Sequence, residues 1–352
     1  MPCYHPRIRI ENLTKWQKAA DGHLYHPARI EQPDDIHERL EELKTIPNYK
    51  KAIIPCRQCI GCRLDYSREW ANRGFLEAKK TEHNYFVTLT YDDDHKPYSE
   101  EITTSNGITY TDTNNDWNGH LNKEHLTDFL HDIRQIFKRD YNHTGIKFLS
   151  CGEYGGETQR PHYHLILFNA PFPADTMYHA RLLNKNFYWQ NSIIERAWNK
   201  GLSNITTATW DTIAYVARYV TKKIYGKESE EEYAQRGQTP EFIRMSRGIG
   251  KDYYEANKER IWKDEEIIVK NTNGAVSQRI PNYFVKLLEK ENEEKAKTYK
   301  KHRKKIAETN AKVKDQSFSM GRLEHLKIEE RTHDQKALSL KRKMEAEKKK
   351  IS

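Results

Sequence analysis

The segment Pro161-His162-Tyr163-His164-Leu165-Ile166-Leu167-Phe168 sets two imidazoles two residues apart in an apolar run. In a strand, positions i and i+2 share a face, so His162 and His164 lie side by side and Tyr163 points the other way. Two such rings can each give one nitrogen to a divalent cation. Glu153 lies nine residues before His162 with Gly155 and Gly156 between them, and a hairpin through these glycines would return its carboxylate to the imidazoles. Two imidazoles and a carboxylate suit Mg²⁺ or Mn²⁺ and leave positions open for phosphate oxygens. Glu157 is a weaker candidate. Taken singly, each has a plainer reading: packed or edge-capping histidines, and a surface charge at Glu153.

A second group lies in Ile213-Ala214-Tyr215-Val216-Ala217-Arg218-Tyr219-Val220-Thr221-Lys222-Lys223. On a helix, Tyr215 and Tyr219 are one turn apart on one face. Lys222 falls about 20° from Tyr215, and Lys223 falls nearer Tyr219. A phenol is a poor nucleophile at its ordinary pKa near 10, but a neighbouring cation that lowers that pKa lets it attack a phosphate. A nearby lysine can steady the phosphate or protonate a leaving group. Tyrosines at this spacing also serve as aromatic packing.

The third group is Cys56-x2-Cys59-x2-Cys62. A knuckle could bring these thiols around Zn²⁺, with Cys3 as fourth ligand or His5 in its place. An iron–sulfur cluster and free thiols remain open readings. Five cysteines in all argue against a disulfide framework. Cys151, at a strand end, reads as core.

These groups need elements to hold them. A helix is expected over Leu64–Lys80, and Tyr85–Tyr91 is β-branched and aromatic throughout, as in a central strand. Residues 92–120 read as a long acidic loop. Leu121–Tyr141 is an amphipathic helix with Leu126, Phe129, Leu130, Ile133, Ile136 and Phe137 on one stripe. Strands over Lys147–Cys151 and His162–Phe168, a helix over Ser192–Trp198, a strand over Ile205–Ala208 and a helix from Trp210 to Tyr225 follow. The order gives an α+β fold, most simply a mainly antiparallel sheet with helices against one face. Residues 1–55 read as irregular, interrupted by Pro2, Pro6, Pro27, Pro33, Pro47 and Pro55. Three regions are expected: 1–83 with the cysteine cluster, 84–285 with the histidines and tyrosines, and a Lys/Glu-rich tail over 286–352 that is a solvated helix or disordered.

The net charge of +9 over 352 residues suggests a polyanionic partner. From Lys286 onward there are 21 Lys/Arg against 12 Asp/Glu, so the preceding residues are close to neutral. Any grip on DNA by the body must come from local patches such as Arg57, Arg63, Arg68 and Arg73. No run of eighteen apolar residues occurs, so no membrane span is expected, and the start lacks a signal-peptide pattern.

In this order, a Phe86-Val87-Thr88-Leu89-Thr90 strand, an H-x-H strand and a helix with two tyrosines and a lysine resemble the HUH endonuclease superfamily. Pro55-Cys56-Arg57-Gln58-Cys59-Ile60-Gly61-Cys62-Arg63, Cys151-Gly152-Glu153-Tyr154-Gly155 and Ile243-Arg244-Met245-Ser246-Arg247 are similar to the replication initiators of gokushovirus-type microviruses. The resemblance covers roughly residues 55–290. The stretch Ser246–Gly250 is shortened against the family's usual version and receives no role. The resemblance implies a ferredoxin- or RRM-like antiparallel sheet. It implies that His162, His164 and Glu153 hold Mg²⁺ or Mn²⁺, and that Tyr215 or Tyr219, helped by Lys222 and Lys223, attacks single-stranded origin DNA of a phage genome. The product is a 5′-phosphotyrosine and a 3′-hydroxyl for rolling-circle replication, with later religation. Host helicase and polymerase are the implied partners and the host bacterial cytoplasm the implied location. The alternatives are an HUH relaxase or transposase, or a nonenzymatic zinc-knuckle DNA-binding protein.

Overall fold

The computed structural model describes residues 3–20, 22, 24–33, 36–156, 158–183, 186–222, 227–271, 274–317, 327–332, 334–335, 338–339 and 342. Met1–Asp65 with Asn310–Lys341 form one compact unit, and Tyr66–Thr309 with Arg342–Ser352 form another.

The first unit departs from the irregular segment expected. Ala28–Glu31, Arg7–Asn12 and Tyr49–Ile54 form a three-stranded antiparallel sheet with Arg7–Asn12 in the middle. Ile8 and Ile10, two residues apart, bury against Leu43 of the helix Ile36–Lys44. The prolines punctuate these strands instead of preventing them. Pro6, Pro27 and Pro47 precede strands, and Pro33 and Pro55 follow them. There a missing N–H costs no ladder hydrogen bond.

The second unit is entered along α1 (Ile60–Ala78). It contains β1 (Tyr85–Tyr91), α2 (Lys123–Tyr141), β2 (Lys147–Tyr154), β3 (Pro161–Phe168), β4 (Met177–Leu183), β5 (Asn186–Asn191), α3 (Ser192–Ala197), β6 (Gly201–Thr207), α4 (Trp210–Lys222) and β7 (Phe242–Met245). After them come α5 (Lys251–Asp264), α6 (Asn282–Glu291) and α7 (Glu293–Ser317). The seven strands form one sheet in the order β4-β5-β6-β1-β3-β2-β7, every pair antiparallel. The α+β class and the antiparallel sheet agree with the sequence.

The helices do not keep to one face. Tyr163, Leu165, Leu167, Val87 and Leu89 bury against the apolar stripe of α2 and against Ile193 and Ile194 of α3. On the opposite face, α1 and α4 cover Leu149 and Phe168. The reason is visible in β2 and β3, which are buried at consecutive positions and not at alternate ones. A sheet apolar on both sides must be covered twice. The α2 stripe is the one expected, and each of its large side chains contributes roughly 1.5–3 kcal/mol by burial. Its N-cap is Asn122, whose side chain accepts from the N–H groups of Glu124 and His125.

Residues 92–120 contain a short hairpin, Glu101–Thr103 with Thr109–Thr111. The acidic stretch after Gly226 includes a helix, Lys227–Gln235, whose Glu230 and Glu231 accept hydrogen bonds from Ser105 N and Asn106 Nδ2 of that hairpin. The tail begins as a packed helix: Ala296 and Tyr299 of α7 are buried beside Trp262.

The Ser246–Gly250 loop has a structural task. Phe148 N donates to Ser246 Oγ at 2.9 Å, Gly250 N donates to Glu77 Oε2 at 2.6 Å, and Arg73 Nε donates to the Ile249 carbonyl at 3.0 Å. The loop thereby ties the sheet edge to α1. Arg73 is correspondingly unsuited to gripping DNA: it is buried, with Trp70 and Tyr283 rings 4.0 and 4.1 Å from its guanidinium carbon. Burial pulls its pKa down. Arg57 and Arg68 are exposed.

Candidate functional site

The β2–β3 hairpin turns through Gly155 and Gly156 and sets Glu153 opposite His162 and Cys151 opposite His164. On the other side of β3, Thr90 stands opposite His162 and Thr88 opposite His164. Directly opposed residues share a face, so Phe86, Thr88, Thr90, Cys151, Glu153, His162 and His164 form one surface, away from the α2 core. The turn is tight at Gly155: a Cβ would stand 3.1 Å from His162 Nε2 and from Thr158 Oγ1.

Helix α4 lies over this surface. It starts with a reciprocal cap, Thr212 N donating to Thr209 Oγ1 at 3.3 Å and Thr209 N to Thr212 Oγ1 at 2.8 Å. Ile213, Val216 and Ala217 are buried on its apolar side. Gly74 of α1 lets the helices approach, since a Cβ there would lie 2.8 Å from Ile213 Cγ2.

Tyr215 and Tyr219 are thereby brought onto the histidine face. Tyr219 Oη donates to Tyr215 Oη at 2.5 Å, and Tyr215 Oη donates to Glu153 Oε1 at 3.2 Å. The same carboxylate oxygen meets His164 Nε2 at 2.7 Å. His164 Nδ1 contacts Thr88 Oγ1 at 3.0 Å, and its ring stacks on Phe86 with centroids 5.4 Å apart. The His162 and His164 ring centroids are 6.1 Å apart. Lys223 and the Lys222 side chain, also expected here, lie outside the described residues, as does Glu157.

The electrostatics are those of a closed pocket. Glu153 is 1 % exposed and His164 9 %. Burial pushes the Tyr215 and Tyr219 phenols far above their ordinary range, and the Glu153 charge pushes them further. As it stands, the pocket keeps both phenols protonated. A positive charge beside either phenol would ease its ionisation.

The donor types suit a hard divalent cation, but the three ligand groups are not all gathered: Glu153, His162 and His164 do not bring their ligand atoms within 4.8 Å of one another. Glu153 Oε1 and His164 Nε2 already meet, and adjacent ligands of an octahedral ion with bonds near 2.1 Å stand only about 3.0 Å apart. His162 lies next along the same strand face. Thr88 suits this role because a hydroxyl can either donate or accept. It can serve the His164 tautomer that donates to Glu153 and the one that frees Nε2 for a metal. Thr88 and Phe86 were not singled out as site residues from the sequence. Strand alternation places them on one face, but only the pairing of β1 with β3 shows which one.

The cysteines form a separate group in the first unit. Among the described residues, Cys3, Cys56, Cys59 and Cys62 are the one set of three or more His, Cys, Asp or Glu whose ligand atoms all lie within 4.8 Å of one another. This set can hold a metal ion. The candidate fourth ligand His5 instead has its Nε2 2.7 Å from Glu330 Oε1. Cys59 is drawn down to about 4, chiefly by its hydrogen bond with Cys3, whose own thiol is pushed up by the same contact. Cys151 is fully buried in β2, as expected.

No helix among the described residues is long and apolar enough to cross a membrane. No solved structure matches the chain. The family described as Replication-associated protein ORF2/G2P matches residues 84–224, the stretch that carries β1, the H-x-H strand and α4. The replication-associated protein ORF2 of Spiroplasma virus 4 is 35% identical over 293 residues, 83% of this chain and 81% of the relative. The replication-associated protein VP4 of Bdellovibrio phage phiMH2K is 28% identical over 78% of this chain and 76% of its own length. The replication-associated protein ORF4 of Chlamydia phage 1 is 28% identical over 67% of this chain and 54% of its own. With identity of that level spread over four fifths of both chains in the Spiroplasma virus comparison, the protein belongs to this family of phage replication-associated proteins.

Proposed function

We propose that the protein is a replication initiator of a single-stranded DNA phage, an HUH-type endonuclease that nicks the origin by tyrosine attack. The observation that carries this reading is the meeting of Tyr215 and His164 on one carboxylate oxygen of Glu153, with Tyr219 hydrogen-bonded to Tyr215 beside them. His162, His164 and Glu153 would hold Mg²⁺ or Mn²⁺, and the bound ion would supply the positive charge that polarises the scissile phosphate and that the phenols lack.

The residues then act as follows. A phenol oxygen of Tyr215 or Tyr219 attacks phosphorus, and the bond from phosphorus to the 3′ oxygen breaks. The strand is left with a 5′-phosphotyrosine and a free 3′-hydroxyl for host polymerase. The phenol proton passes to solvent, while Glu153 Oε1 and Tyr215 Oη orient the Tyr215 and Tyr219 hydroxyls through the hydrogen bonds they accept. Lys222 and Lys223 would steady the phosphate or protonate the 3′ oxygen. Because one ester replaces another, bond energy is retained. The adjacent second phenol allows a later exchange that recircularises the displaced strand. Host helicase would extend the opened duplex, in the host bacterial cytoplasm.

The test is a denaturing gel of the full chain with Mn²⁺ and labelled single-stranded oligonucleotides tiled across the phage genome. A covalent protein–DNA adduct, lost in the Tyr215→Phe/Tyr219→Phe double variant, is expected. Cleavage without an adduct would make water the nucleophile. Binding without cleavage at any segment would leave a DNA-binding protein.

A further inference from the structure

We propose that Cys3, Cys56, Cys59 and Cys62 bind one Zn²⁺ as a closed tetrathiolate centre, a second metal site distinct in place and chemistry from the histidine–glutamate face. The four sulfurs already have the spacing. Cys56 Sγ and Cys62 Sγ are 4.0 Å apart, as are Cys59 Sγ and Cys3 Sγ. A tetrahedral ion with bonds near 2.3 Å needs sulfur–sulfur edges of about 3.8 Å. A disulfide needs about 2.05 Å, and all five cysteines are free.

The backbone is folded around the sulfurs as well. Cys56 N points at Cys3 Sγ at 3.1 Å, Cys59 N at Cys56 Sγ at 3.3 Å, Gln58 N at Cys56 Sγ at 3.4 Å and Tyr4 N at Cys59 Sγ at 3.4 Å. Four N–H donors aimed at sulfur stabilise thiolates, not thiols. The knuckle that makes this possible turns at Arg57, which takes φ 65°, a conformation a residue with a Cβ adopts only when its surroundings hold it. Around these sulfurs the apolar packing is small, with Tyr4, Ile60 and Leu64. Packing of that extent gives little reason to gather four cysteines from the two ends of a 60-residue span.

All four ligand positions come from the protein, so the ion would have no open coordination site for substrate. Its role is structural: it joins the strand-leading Cys3 segment to the knuckle that opens α1. Loading replaces four thiol protons with one Zn²⁺ and changes no oxidation state.

The experiment uses the full chain, purified without chelator. Elemental analysis should find about one zinc per chain, and titration with an organomercurial should release it at about four equivalents. Replacement by Co²⁺ should give the visible bands and the sulfur-to-cobalt charge transfer of a tetrahedral tetrathiolate. Cys56→Ser and Cys59→Ser should lose these signals, and Cys151→Ser should keep them. If the serine variants do not fold, the organomercurial titration of the unaltered chain still decides. Four promptly reactive thiols with no zinc, or iron with acid-labile sulfide, would overturn the proposal. None of these readouts depends on DNA cleavage, so the zinc centre and the nicking reaction stand or fall separately.

Discussion

Tyr219 donates its phenol hydrogen to Tyr215 at 2.5 Å, and Tyr215 passes its own to Glu153. The two hydroxyls are thus coupled to each other and to one carboxylate, which Tyr219 also meets, and are not two independent sites. Each single phenylalanine variant should therefore retain adduct formation at a reduced rate, about 10-fold to 100-fold down. The double variant should fall by at least about 10³-fold, the scale of losing a nucleophile outright. Single-turnover rates measured on a denaturing gel check this. Full loss in one single variant would assign the attack to that tyrosine alone.

The buried phenols make a pH prediction. Their folded-state pKa values lie above the unfolded value near 10, so in strong base the unfolded chain releases protons that the folded chain holds. Their contribution to stability is complete below pH 10 and is lost as pH rises toward the folded values. Each phenol steepens the decline by at most about 1.4 kcal/mol per pH unit. Urea melts between pH 9.5 and about 11 should show a shallower decline for the Tyr215→Phe/Tyr219→Phe variant than for the unaltered chain. Tyr91 and Tyr163, buried on the other face, titrate in both and cancel.

Thr88 is expected to act through His164. Thr88→Val keeps the shape and removes the hydroxyl that contacts Nδ1 at 3.0 Å. Metal-dependent cleavage should drop about 10- to 100-fold, the range for partners of a metal-ligating histidine. Thr88→Ser should restore most of it. If higher Mn²⁺ rescues the valine variant, the lost hydroxyl acted on metal affinity, as the tautomer argument requires.

Gly74→Ala tests how α4 is seated. The added methyl would meet Ile213 Cγ2 at 2.8 Å, and overpacking of this kind costs roughly 1–3 kcal/mol. Ile213→Ala removes Cγ2, so the Gly74→Ala/Ile213→Ala pair should lose less stability than the sum of the two single variants, a non-additivity readable by thermal melts.

Much of the site was legible from residue type and spacing. The period of two in His162-Tyr163-His164 put both imidazoles on one face, and the period of 3.6 put Tyr215 over Tyr219. Both relationships are set by local backbone geometry and appear in the structure. The Gly155–Gly156 turn likewise returned Glu153 to the histidines, because a hairpin register follows from its turn. The cysteine spacing signalled a knuckle for the same local reason.

What tertiary structure decided depends on contacts between residues distant in the chain. Thr88 meets His164 across 76 positions, and the Tyr215 hydroxyl reaches Glu153 across 62. Neither the Thr88–His164 nor the Tyr215–Glu153 contact follows from periodicity, which names a face but not its partner. Helices cover both sides of the sheet, and β2 and β3 are buried at consecutive positions although Ser150, Glu153 and His164 are polar, so residue type alone does not show that both faces are covered. Arg73 reads as a surface cation until the rings of Trp70 and Tyr283 close over it. The sequence offers Cys3 or His5 as the fourth member of the cysteine group, and the fold decides for Cys3. Sequence determines what each element presents; packing determines what it meets, because burial energy is collected only when remote surfaces come together.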